Sequence, residues 1–181
     1  MKQRAFTLME LMIVIVIIGI LATVGMVMFG GQSEKAKIAA SKANLKTISK
    51  WLAVKSTEVC SAKQGRNKNG MFFEDGNYQT FVKCSDDGTS LAYAASHYFH
   101  KNVIFKNPYT GENAIPDKAI SSSFNITRSG LETVSSSYVK MGEIMFFNLG
   151  GEEMSVVFSN IGDKNGSDKK EWVIIPGPSN F

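Results

Sequence analysis

From Leu11 to Phe29 the chain carries no charged side chain and is dense in Ile, Val, Leu and Met. A helix over this stretch spans roughly 28 Å, about the hydrocarbon thickness of a bilayer. A helix packed on a soluble core keeps one polar face, and this one has none, so it is read as membrane-inserting. Further on, "SEKAKIAASKANLKTISKWLAVKS" places Ile38, Leu45, Ile48 and Leu52 on one helical stripe and Lys42, Lys46 and Lys50 on another. No Pro or Gly interrupts the chain from Gly31 to Lys55, so residues 6 to about 55 predict a rod of roughly 75 Å. Gly30 and Gly31 are the one place for a joint. The apolar stripe on the distal half requires a globular partner.

The remainder changes character. From Cys60 to Cys84, glycines 65, 70 and 76 punctuate a stretch that reads as loop. Thr89 to Phe99 predicts a short helix with Leu91, Ala95 and Tyr98 on one side, and "NPYTGE" predicts a turn. "SSSFNITR", "EIMFFNL", "MSVVFSNI" and "EWVIIPG" read as short strands separated by turns. These elements predict an α+β chain: a long N-terminal helix, with an antiparallel sheet of three or four strands packed on its second half. The organisation expected is a membrane helix over 6–30, an amphipathic continuation over 31–57 and a head over 58–181.

At 181 residues the chain holds one domain and an appendage. Its net charge of +4 is too mild to imply nucleic acid as a partner. Lys2 and Arg4 precede the apolar run, which keeps the N-terminus cytoplasmic and sends the head out. A cleaved secretory signal is the rival reading; the run is longer than such signals carry, and no A-x-A site follows it. Cys60 and Cys84 show no metal-binding spacing. On the exported side they are expected to form a disulfide, stabilising by roughly 3–4 kcal/mol in the chain-entropy account.

Candidate chemistry is sparse. His97 and His100 stand three apart without an acidic or Cys neighbour, and read as packing or surface residues before a metal pair. Asp163, Asn165, Asp168 and Glu171 offer oxygens at short spacing, as calcium loops do, but the pattern is not an EF-hand and reads first as a solvated hairpin tip. The lysine row raises DNA as a partner; a solvated helix face is the simpler account. No phosphate loop, carboxylate pair or triad is present, so no catalytic residue, cofactor or enzymatic activity is expected.

Glu10 is the exception, a carboxylate at the mouth of the apolar run. Such a group is costly in hydrocarbon and calls for a cation, yet no Lys or Arg follows within four residues. A new amine at Phe6 would lie four residues away, on this chain or on a neighbour.

Here "KQRA" followed by "FTLMELMIVIVIIGILA" resembles the class III signal of type IV pilins and of type II secretion pseudopilins. Ala5, Phe6, Thr7, Leu8, Glu10 and Gly19 match its positions. The resemblance implies that a prepilin peptidase removes residues 1–5 by cutting between Ala5 and Phe6 and methylates Phe6. It also implies that Glu10, beside Phe6 and Thr7, pairs with the terminal amine of an adjacent subunit during assembly. Two positions depart from the pattern: Ala5 stands where Gly is usual, and no Pro bends the far end of the run. A cysteine pair directly after the helix also differs from the C-terminal pair of many pilins.

The function so implied is a pilin that polymerises into a surface filament for adhesion, twitching motility or DNA uptake. Its partners would be other copies of itself, the peptidase, an inner-membrane assembly platform and, before assembly, membrane lipid. Such a subunit waits in the inner membrane with its head in the periplasm and becomes extracellular once assembled. A type II secretion pseudopilin is the alternative, and a membrane-tethered binding module is a second.

Overall fold

The computed structural model describes residues 7–61, 70–74, 79–83, 88–116, 125–149 and 154–177. The first element, α1 (Leu8–Ser61), is a single helix of 54 residues, roughly 80 Å long. It passes through Gly30 and Gly31 without a break, so the joint allowed by the sequence is not there. Nothing lies within 4 Å of the point where a side chain on Gly19 or Gly31 would begin, so no close packing calls for glycine at either place.

The two halves of α1 differ in what covers them. From Leu8 to Val24 the large apolar side chains are 46–78 % exposed, and Leu8–Gly25 is long and apolar enough to cross a membrane. On the distal half Leu45, Ile48 and Leu52 are buried, at 4 % exposure or less. That half is the scaffold of the head.

The head is built from a hairpin, β1 (Gly70–Glu74) and β2 (Gln79–Lys83); a helix, α2 (Gly88–Asn102); and a four-stranded sheet. The sheet contains β3 (Asn125–Ile126), β4 (Ile144–Leu149), β5 (Met154–Asn160) and β6 (Lys170–Pro176), in that spatial order. The short helix α3 (Arg128–Thr133) follows β3. Strands β4, β5 and β6 pair antiparallel, with Leu149 opposite Met154 and Met154 opposite Pro176. The fourth strand departs from the expected pattern: β3 is only two residues long and lies parallel to β4.

The segment read as loop between the cysteines contains the β1–β2 hairpin, in register with Phe72 opposite Phe81. Its apolar residues are few and framed by Gly and Asn, which masks a period of two over so short a span. Val82 is fully buried, so β2 reaches the core.

One face of the sheet meets the helices. Phe99 of α2 stacks over Phe146 of β4 at 6.4 Å, and Trp51 of α1 meets the edge of Phe99 at 4.7 Å and stacks on Tyr98 at 5.1 Å. The other face is also covered. Phe147 and Phe158 meet edge to face, Phe158 stacks on Trp172, and Leu131 of α3 and Val139 join the same apolar cluster. All six residues of β4 are buried, as are six of seven in β5. A sheet covered on both sides has no polar face, which is why "IMFF" and "VVF" run apolar without alternating.

The "NPYTGE" turn clasps the connection into β4. The Asn107 amide donates to the Met141 carbonyl at 2.9 Å, and the Tyr109 hydroxyl donates to the Ile161 carbonyl at 2.7 Å. These approaches need bare backbone opposite. A side chain on Gly142 would begin 2.0 Å from Asn107 Oδ1, and one on Gly162 would begin 2.5 Å from the Tyr109 hydroxyl. Lys37 of α1 lies over the Tyr109 ring at 5.5 Å and ties the turn to the helix.

Candidate functional site

The start of α1 is held by a reciprocal pair. The Thr7 hydroxyl accepts from the Glu10 amide at 3.3 Å, while Glu10 Oε2 accepts from the Thr7 amide at 3.0 Å and from the Thr7 hydroxyl at 2.9 Å. This is a capping box, which satisfies backbone donors that the first turn leaves open. Thr-x-x-Glu ahead of an apolar run is its sequence signature. Glu10 therefore has a partner within its own helix.

The box uses one carboxylate oxygen. Among the described residues no donor reaches Oε1, and the Glu10 side chain stands in the open. Its backbone contacts go to the Thr7 amide, which lies after the Phe6–Thr7 bond, so a cut between Ala5 and Phe6 leaves the box intact. Ala5 and Phe6 themselves lie outside the described residues.

The other sequence candidates fall apart as sites. Cys60 is in the last turn of α1 and Cys84 lies outside the described residues, so their bridge stays an expectation. His97 packs edge-on against Tyr93 at 4.5 Å, whereas His100 Nδ1 bonds the Ile115 carbonyl at 2.8 Å. Among the described residues no three His, Cys, Asp or Glu side chains gather as a metal site would need.

The four candidate oxygen donors around the β5–β6 connection do not converge on one point. Asp163 Oδ1 accepts from the amides of Asn165 and Ser167, both at 2.8 Å, so Asp163 and Asn165 share one tight turn. Asp168 accepts from the Asn160 amide; bonds from Ser136 and then Asn160 hold its carboxyl below the ordinary aspartate range, with Lys170 adding to the effect. Glu171 turns to α1 and pairs with Lys42 at 3.0 Å. Asn160, buried and unremarked in the sequence, is the hub: its amide also donates to the Val139 carbonyl, and its oxygen accepts from Lys169.

The geometry thus leaves one distinctive site: a capped, carboxylate-bearing helix start heading an uncovered apolar rod. Residues 1–26 match the family model described as the prokaryotic N-terminal methylation motif. No curated protein and no solved structure matches the chain. The match covers the N-terminal segment alone, where it supports a class III signal of the kind carried by type IV pilins and pseudopilins.

Proposed function

We propose that this chain is the structural subunit of a type IV pilus, with no catalytic role. The leader is cut between Ala5 and Phe6, the apolar half of α1 waits in the inner membrane, and copies then pack side by side into a surface filament. The observation that carries this reading is the uncovered run Leu8–Gly25, joined without a break to a well-packed head. An apolar surface of that extent needs lipid or other copies of itself. Glu10 supplies the polar contact at its start. Oε2 stays with Thr7 while Oε1 is open to the Phe6 amine of a neighbour, so the box presets the carboxylate for pairing. The peptidase, an assembly platform and lipid are the partners this cycle requires.

Major pseudopilins, which the N-terminal segment also resembles, carry a calcium site in a C-terminal loop; here Asp163 and Glu171 turn to separate partners, which favours a pilus over a secretion pseudopilus. Electron microscopy of sheared surface material, with mass spectrometry of its subunit, tests the proposal. Long filaments of a chain beginning at methylated Phe6 are expected. The same processed chain found only in the cell envelope indicates a pseudopilin, and an intact Met1 terminus overturns both.

A further inference from the structure

A groove on the head has no part in that reading. It lies between α1 and β6 and encloses about 500 Å³, with Leu45, Val173 and Ile175 as floor and Lys42, Lys46 and Lys50 along one lip. Ser49 also lines it, 6 % exposed, with a hydroxyl that meets no partner among the described residues. Strand β6 is the last of its sheet among the described residues, and none of these ladders on its outer backbone edge. Lys42 is matched by Glu171, whereas Lys46 and Lys50 are exposed and pair with no carboxylate among the described residues. An occupant must be narrow, acidic at its tip and apolar behind.

The chain contains a segment of that chemistry. Between β4 and β5 run Gly150, Gly151, Glu152 and Glu153, and these two glutamates are the sole charges from residue 144 to residue 162. Leu149 and Met154 pair directly behind them. The level along α1 of the strand ends that flank this segment follows from the register. Met154 is opposite Pro176, whose carbonyl accepts from Ser56 at 2.6 Å. The lysine lip centres on Lys46, ten residues nearer the N-terminus, which is roughly 15 Å along the helix.

We propose that the Glu152–Glu153 segment of one copy docks in the Lys42–Lys46–Lys50 groove of a parallel copy set roughly 15 Å further along the helix axis. The proposal rests on the polymer reading above. Segment and groove are different patches of one surface, so the contact does not close on itself and repeats from copy to copy. Charge complementarity selects the partner, and the apolar floor meets Met154, which is only partly buried in its own head. A nucleic-acid backbone would use the lysines but gain nothing from the floor.

The test uses the full chain in its assembling host. Lys46→Cys and Glu153→Cys are made singly and together, and sheared filaments are oxidised. A ladder of dimers and higher species is expected from the combined variant alone. Charge exchange is the second arm. Lys46→Glu with Lys50→Glu should cut filament yield roughly tenfold, and adding Glu152→Lys with Glu153→Lys should restore it. Filaments at full yield from the lysine variant, no ladder from intact filaments, or a cross-link confined to monomers would each overturn the contact while leaving the polymer standing. Loss of DNA binding with normal filaments would overturn it in favour of nucleic acid. A wild-type chain that forms no polymer removes both readings.

Discussion

At the scale of single residues, Glu10 has one observed duty, and the proposed pairing adds a second that chemistry can separate from it. Its bonds to Thr7 need only an acceptor oxygen, whereas pairing with an amine needs charge. Glu10→Gln keeps the first and removes the second. It should leave processing and membrane insertion unchanged and lower filament yield strongly, while Thr7→Ala, which breaks the box and keeps the charge, should lower it less. Equal yields from Glu10→Gln and wild type would show that the amine contributes nothing. Asp168 gives a pH test. Its folded pKa is depressed, so its contribution is present above the ordinary aspartate range and is lost as pH falls through the lower, folded value. The protection of the Lys169 amide, corrected for its intrinsic exchange rate at each pH, should fall on acidification, and Asp168→Asn should flatten that dependence. The effect is small, since Asp168 is largely exposed.

Among elements, α1 was the most legible because its two periodicities are long. Ile38, Leu45, Ile48 and Leu52 stand on one stripe, and the last three are buried as that spacing requires. Strands β4 to β6 were visible as apolar runs, but their second covered face was not, since α3 and Val139 reach it through contacts distant in sequence. The β1–β2 hairpin was missed because five-residue strands among Gly and Asn give too few repeats to show a period. The capping box was written plainly in Thr7 and Glu10. The scattering of Asp163 and Glu171 to separate partners was not readable, because spacing does not tell which way a side chain turns. The stripe makes a quantitative prediction. Leu52 is fully buried, and Leu52→Ala should destabilise the head by about 2–5 kcal/mol through lost burial and the cavity left behind. Thermal unfolding of the detergent-solubilised chain measures it; a loss below about 1 kcal/mol would mean that the sheet collapses onto the gap.

For the molecule as a whole, the head has a packed core and the anchor has none. Two-face burial of the sheet, the Tyr109 clasp and the aromatic cluster around Phe99 finish one end. The other end stands bare from Leu8 onward. Under the proposed assembly, this asymmetry separates the steps of a life in two environments: the head would fold once, and only the rod would exchange lipid for protein.

Because α1 is continuous through Gly30 and Gly31, the azimuth of Glu10 is geared to that of the lysine lip. Each residue spliced in at Gly30 turns one end against the other by about 100° and lengthens the rod by about 1.5 Å. One added alanine should therefore abolish filaments, while four, which come nearly full circle, should bring some of them back. A count of filaments per cell reads the dial. Were one and four extra residues equally harmless, the shaft would have to slip somewhere along its length.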